Sequence, residues 1–177
     1  PWVLAGATLL VLVGMSGSCR ANTDPPPWLL DMETYNGWYY EWTDAGFDSL
    51  LRECPLLVGA PLDPHWPAKA HQAGVRLLHY ITLYQAPASG AYQDIDMAQH
   101  PDWWVIKADG HPQESVFFNS ENYNWYEICS NVAEENEAEL AFIRRIMDAG
   151  FDGLFIDNAH PRGECFGEKL GIHKHQQ

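Results

Sequence analysis

Asp148-Ala-Gly-Phe-Asp-Gly-Leu-Phe-Ile-Asp-Asn-Ala-His-Pro161 reads as a helix end, a glycine stop, a short buried strand and a polar cluster at the strand's C-terminal tip. Leu154-Phe-Ile156 is an uninterrupted apolar run, the pattern of a strand buried on both faces of a parallel sheet. In parallel α/β folds the C-terminal tips of the strands are where binding and catalysis are built. Asp157 follows that run directly, and a carboxylate there is costly to bury unless it is paired or used. It can act as nucleophile, general acid or base, or metal ligand, or it can cap the turn that follows. Asn158 can hydrogen-bond a substrate hydroxyl or hold the loop. His160 can orient Asp157, touch substrate or ligate a metal; before Pro161 it also reads as a plain turn residue.

The opening phrase recurs. Asp44-Ala-Gly-Phe-Asp-Ser-Leu-Leu51, Gln72-Ala-Gly-Val-Arg-Leu-Leu-His79 and Asp148-Ala-Gly-Phe-Asp-Gly-Leu-Phe155 each carry Ala-Gly, an apolar residue, and a leucine three positions later. Read as glycine-terminated helices running into strands, they predict alternating helix and strand, hence a mostly parallel sheet. The expected strands lie near Trp28–Glu33, at Phe47–Leu51 or Leu56–Gly59, at Val75–Ile81 and at Gly153–Ile156. Helices are expected over Pro64–Ala73 and residues 131–149. In the second helix Asn131 and Glu134 have the spacing of a capping box, and Leu140, Ile143, Ile146 and Met147 should face the sheet. Its acidic run, Glu134, Glu135 and Glu137, reads as a solvated face. Between the third strand and this helix, Asp102 to Phe118 carries an Asp109-Gly110 turn between two β-prone runs, a hairpin signal.

The chain has 177 residues and a formal net charge of −14, from 24 acidic and 10 basic residues. A nucleic acid or an anionic membrane needs clustered Lys and Arg, so neither is an expected partner. A complete eight-unit α/β barrel needs about 250 residues. The expectation is therefore an α/β fold that is a partial TIM (β/α)-barrel, about the first four βα units, with the hairpin inserted after the third strand. The chain starts at Pro1 and ends without a closing element, and it is read as the N-terminal part of a longer protein. The apolar run Trp2–Met15 is short for a membrane helix, which takes about 20 residues. With Ser16-Gly-Ser-Cys19 after it, residues 1–21 read as a signal peptide or lipoprotein-type export segment, Cys19 being the possible lipid anchor. Residues 22–27 are a Pro-rich linker, and the barrel part occupies 28–177. The expected location is extracellular, periplasmic or an outer-surface lipoprotein.

Other candidates are individually weaker. His79, Tyr80 and Tyr84 fall near the C-terminal tip of the third strand, where one of His79 and Tyr80 points inward. Eight Trp and eight Tyr supply rings, Trp103 among them, that could pack the core or stack on a flat apolar ligand face. Asp31, Glu33, Asp94 and Asp96 are further carboxylates near the expected strand ends and loop. Cys54, Cys129 and Cys165 show no CxxC, so a zinc site is not expected from their spacing; one disulfide with one free thiol is possible. Cys129, just before the long helix, reads as structural rather than nucleophilic. His173-Lys-His175 has metal-ligand spacing but is set aside for its place at the chain end.

His100-Pro-Asp-Trp-Trp-Val-Ile-Lys-Ala-Asp-Gly110, then Ile128-Cys-Ser-Asn131, a helix, and Gly150-Phe-Asp-Gly-Leu-Phe-Ile-Asp-Asn158 together resemble barrel glycoside hydrolases, in particular glycosidase-like families related to α-amylase and α-galactosidase barrels. The resemblance covers roughly residues 70–168 and rests on the order and spacing of these motifs. Gly163-Glu-Cys-Phe166 fits a cysteine-containing stretch of some such families, while Ser130 stands where proline is usual. The resemblance implies that Asp157 matches the fourth-strand catalytic aspartate, the nucleophile in retaining members. It implies a carbohydrate substrate lined by Asn158, His160, His79, Tyr80, Tyr84 and Trp103, and no obligatory cofactor. Glycoside hydrolysis needs two carboxylates, about 5–5.5 Å apart for retention or 6.5–9.5 Å for inversion. The partner acid is expected from a later strand, so this chain alone is expected to be inactive. Two alternatives stand beside this reading: a metal-dependent hydrolase using Asp157 and His160, with Asp63 or His65, and a non-catalytic carbohydrate-binding barrel.

Overall fold

The computed structural model describes residues 42–115, 124–157 and 163–176. The strand expected near Trp28–Glu33, with Asp31 and Glu33, lies outside them, as do the export segment with Cys19, the linker, and Asn158 and His160. The chain divides into two compact units. Of the described residues, 42–81 and 144–156 form one unit; 82–115, 124–143, 157 and 163–176 form the other.

The first unit begins with helix α1 (Asp44–Glu53). Here the first copy of the repeated phrase departs from expectation, because it starts a helix instead of ending one. Thr43 caps the helix, its hydroxyl accepting from the Gly46 N–H, and the Phe47 N–H bonds the Thr43 carbonyl. Phe47, Leu50 and Leu51 are spaced i, i+3, i+4, which suits a helix face as well as a short apolar run suits a strand. Phe47 is fully buried, and its ring meets Trp66 edge-on at 5.1 Å and Trp42 at 5.4 Å. Of the two candidate positions for the next strand, the second holds: β1 is Leu56–Val58, with all three residues buried.

Helix α2 (His65–Gln72) and strand β2 (Arg76–Thr82) follow close to their expected places. Between them Gly74, at φ +74°, closes the helix: its N–H bonds the His71 carbonyl, and the Val75 N–H reaches back to Ala70. The third copy behaves identically. Gly150, at φ +96°, bonds Met147, and Phe151 reaches back to Ile146. This left-handed closure is strained for residues bearing a Cβ, which is why the phrase keeps its glycine there. β2 lies between β1 and the strand Gly153–Asp157, numbered β7 below, and pairs in parallel with β1 through Leu56↔Arg76, Leu57↔Leu77 and Val58↔Leu78.

In the second unit β3 (Gln85–Pro87), β4 (Ala91–Tyr92), β5 (Ile95–Asp96) and β6 (Trp125–Glu127) are short. β3 pairs antiparallel with β6, and β4 with β5. The β4–β5 turn places Gln93 and Asp94 at φ 51° and 66°, the two-residue hairpin geometry that tolerates Asp. Asp94 is thus a turn residue, and Asp96 accepts from the Ala98 N–H and Gln99, capping the 3-10 turn Met97–Gln99. Of the expected hairpin, residues 102–115 are described and 116–118 lie outside the described residues: Lys107 and Gly110 close its turn, Ile106 bridges Pro112, and Trp104 and Glu114 bridge Ile128 and Tyr126. Its apolar side packs with Ala86, Met97, Ile128, Cys129 and Val132 in one core cluster.

Helix α3 (Ala133–Asp148) corrects two expectations. Its inward stripe runs through Glu135, Phe142 and Ile146, at 5%, 7% and 0% exposure, while Leu140 is 49% exposed. The acidic run is therefore split: Glu134 and Glu137 face solvent, and Glu135 does not. Among the described residues no helix is long and apolar enough to cross a membrane.

One side chain ties the elements of the first unit. Asp152, at the start of β7 with its side chain 10% exposed, accepts from the Leu77 N–H at 2.9 Å, from Arg76 Nη1 at 2.6 Å and from His71 Nε2 at 2.9 Å. Removing the carboxylate leaves the buried Leu77 N–H without its acceptor and takes one partner each from Arg76 and His71. Asp152→Ala is expected to lower unfolding free energy by about 2–4 kcal/mol, read by urea denaturation; a loss below that of an ordinary surface substitution would show that Asp152 does not tie the sheet.

Candidate functional site

β7 ends at Asp157, which is half-buried and sits in a strand hydrogen-bonded to β2, the middle strand of the three. Two carboxylates thus bracket β7. Asp152, at its start, is consumed by Leu77, Arg76 and His71; Asp157 stands at the end where an α/β sheet builds chemistry.

His79 and Tyr80 occupy adjacent positions of β2 and so opposite faces. The His79 ring meets Phe151 edge-on at 5.0 Å; burial pulls its pKa down, and a hydrogen bond to the Ala60 backbone partly opposes this. It is a neutral imidazole packed into the unit. Tyr80 stacks on Phe155 at 6.0 Å and covers the cluster of Leu56, Val58 and Leu78. Tyr84 follows β2 and is half-buried, its carbonyl accepting from the Ile128 N–H. Trp103 is a correction: only 6% exposed, it stacks on His100 at 3.8 Å and belongs to the core cluster, so its ring has no open face to offer a sugar. Asp63 and His65 also have local tasks. Asp63 Oδ1 accepts from the His65 N–H, and His65 Nε2 meets Asp44 Oδ1 at 2.9 Å.

The sequence reading missed a buried acid pair. Glu135 and Glu139, one turn apart on α3, line a small cleft with Tyr92, Gln93, Ile95, Met97, Trp103 and Ile128. The space is about 10 Å³, room for a water molecule and not for a sugar ring. Desolvation pushes Glu135 up to about 8, with Glu139's charge and hydrogen bond adding to the rise. Desolvation also raises Glu139, to about 7, against the hydrogen bonds from Gln93 and Glu135. Both carboxyls therefore bind protons more tightly than exposed ones, Glu135 the more so. Tyr92, beside them, is pushed up to about 12 by burial and stays a phenol, bonding the Thr82 carbonyl at 2.6 Å. The signal available in the sequence was spacing: Val132, Glu135, Glu139, Phe142 and Ile146 trace one helical stripe.

A second grouping brings together residues that the sequence offered no reason to connect. Cys129 and Cys165, whose spacing suggested no zinc site, and His173 and His175, set aside as a chain-end accident, come together. Among the described residues this is the grouping of at least three possible metal ligands. Cys54, Cys129 and Cys165 are all free thiols. Burial pushes the Cys129 thiol up to about 12, with a hydrogen bond from the Asn131 backbone opposing and nearby Cys165 adding to the rise.

No protein-family model matches the chain. Over 134 residues, 74% of its length, it is 28% identical to an A type blood α-D-galactosamine galactosaminidase of Flavonifractor plautii. It spans 12% of that protein. In fold it is similar to the α-galactosidase of Thermus thermophilus solved with p-nitrophenyl α-D-galactopyranoside, with a TM-score of 0.51 and 17% identity over 68% of this chain and 29% of that one. The described strands form no closed barrel. In sequence and in fold the chain resembles part of a glycosidase-like barrel.

The acid pair gives a pH test. Both groups hold protons in the folded state that the unfolded chain, titrating near 4.5, releases. Their contribution to stability is complete below about pH 4.5 and is lost as pH rises through 7 and 8. Glu135→Gln keeps a donor and cannot ionise. It is expected to be more stable than the parent at pH 8 by on the order of 1–3 kcal/mol, with the gap closing towards pH 5, in urea titrations of both proteins. A gap independent of pH would show that these carboxyls ionise freely in the fold.

Proposed function

We propose that the chain is the portion of an exported glycoside hydrolase that carries a catalytic carboxylate, Asp157, as nucleophile or general acid/base. The observation that carries the reading is Asp157 at the end of an apolar strand beside β2, in a chain similar in sequence to a galactosaminidase. Cleavage of a glycosidic bond develops positive charge at the anomeric carbon, and a half-buried carboxylate opposes that charge or attacks the carbon. A second carboxylate must protonate the leaving oxygen, and it is assigned to a later strand of a longer protein. Glu135 and Glu139 do not fill that role, since their cleft admits no sugar.

The substrate proposed is an α-linked galactose or galactosamine unit, on the strength of the galactosaminidase relative. The net charge of −14 is compatible with attracting a sugar bearing a protonated amine. Asn158, His160, Tyr80 and Tyr84 are the residues proposed to line it, with His79 supporting the strand from its other face. Export is supported by the apolar run Trp2–Met15, and a lipid anchor would fall on Cys19.

The test is hydrolysis of α-galactoside and α-galactosaminide substrates by the full-length protein and its Asp157→Asn variant. A fall in kcat of about 10²–10⁴-fold, the range of a general acid–base contribution, or more for a nucleophile, is expected with the fold unchanged by circular dichroism. Equal turnover in both would remove Asp157 from the mechanism. Binding without turnover in either would favour a non-catalytic carbohydrate-binding barrel.

A further inference from the structure

Cys129 and the segment carrying Cys165, His173 and His175 converge from two separate stretches of chain, and nothing in the hydrolysis above uses them. Their sulfur and nitrogen atoms all lie within 4.8 Å of one another. Cys129 Sγ is 3.6 Å from His175 Nε2, Cys165 Sγ is 3.3 Å from His173 Nε2, and the two Nε2 atoms are 3.2 Å apart. A tetrahedron with Zn–S of about 2.3 Å and Zn–N of about 2.0–2.1 Å has N–S edges of about 3.6 Å and N–N edges of about 3.3 Å. The observed separations match those edges.

The surroundings prepare the donors. His173 Nδ1 lies 2.5 Å from the Asp102 carbonyl, which can only accept, so Nδ1 carries the proton and Nε2 turns a lone pair to the centre. His175 presents Nε2 as well, with its Nδ1 3.8 Å from Glu168 Oε2. The two imidazole Nε2 atoms lie 3.2 Å apart, a separation that two nitrogen ligands of one tetrahedral cation also have. The Ile106 N–H points at Cys165 Sγ at 3.3 Å, a donor suited to a thiolate. Two thiolates would cancel a divalent charge and leave the half-enclosed centre neutral. Gly167 has its own reason to be glycine, because a Cβ there would run into the His173 ring, 2.8 Å from its Cδ2 and nearer its other atoms.

We propose that Cys129, Cys165, His173 and His175 bind one Zn²⁺ in a closed, structural site. Two thiolates and two imidazoles in tetrahedral array select zinc over the oxygen-seeking Ca²⁺ and Mg²⁺. All four positions are taken by protein, which leaves none for a reacting water. The ion clips residues 163–176, which form neither helix nor strand, onto the turn preceding α3, while Asp102 and Ile106 of the hairpin hydrogen-bond its His173 and Cys165 ligands. Backbone bonds from Phe166 to Ile106 and from Gln176 to Asn131 flank the clip.

The test uses the intact protein purified under reducing conditions, with Zn²⁺ and Co²⁺ as probes. One zinc per chain by elemental analysis is expected, with tetrahedral d–d absorption and a thiolate-to-cobalt charge-transfer band on Co²⁺ substitution. Cys165→Ser and His175→Gln should each lose stoichiometric metal. Glu168→Gln, which touches no metal, should retain the bands with about tenfold weaker affinity or less change. Because a ligand variant can fail to fold, the wild-type cobalt spectrum decides independently. Reduced wild-type protein that takes up neither ion, or a Cys129–Cys165 disulfide in the oxidised protein with no metal uptake after reduction, overturns the proposal.

Discussion

The carboxylate of Asp152 holds together the part of the fold on which the rest relies. It fixes the start of β7 against the start of β2 by accepting the Leu77 N–H, and it draws in Arg76 and His71 from the strand and helix beside it. A parallel sheet has no tight turns to set its register, so a side chain reaching across to a neighbouring strand's backbone is an economical way to set it. With the N-terminal ends of β2 and β7 locked, the rise of each strand determines where its C-terminal end emerges. Asp157 is placed by that constraint, five residues along a strand whose origin is fixed.

The two acids of β7 divide the labour of an α/β sheet between its ends. At the N-terminal end the Asp152 carboxylate meets three donors and contributes stability; Asp157 ends the strand at the C-terminal end, where parallel α/β sheets build their sites. Their sequence surroundings differ little, since each is an aspartate at the edge of an apolar run. The glycosidase-like character of the chain directs attention to the second of them.

The other unit solves a different problem. Its strands are two or three residues long, and its last described segment has no regular structure. Burying such chain leaves polar groups to satisfy, and here they are handled by side chains: Tyr92 on the Thr82 carbonyl, Ser115 on Gln85, Glu135 on Glu139. The convergence of two cysteines and two histidines belongs to the same economy, since ligation by side chains can hold irregular segments that no backbone ladder reaches.

Local pattern was enough to read helix α2, strands β2 and β7, the hairpin turn and the placing of Asp157 at a strand tip. Those features depend on glycine stops, apolar runs and turn chemistry that act within a few residues. The same phrase misled at Asp44–Leu51, because Gly46 sits in a first turn that the Thr43 hydroxyl caps, and an apolar triplet at helical spacing imitates a short strand. Leu140 and Glu135 exchanged their expected faces because α3 is oriented by what packs against it, and composition does not record that orientation. Cys129, Cys165, His173 and His175 were all visible in the chain. Only the tertiary structure brought them to one point, because Cys129 lies far along the chain from the segment holding Cys165, His173 and His175, and no local spacing records that meeting.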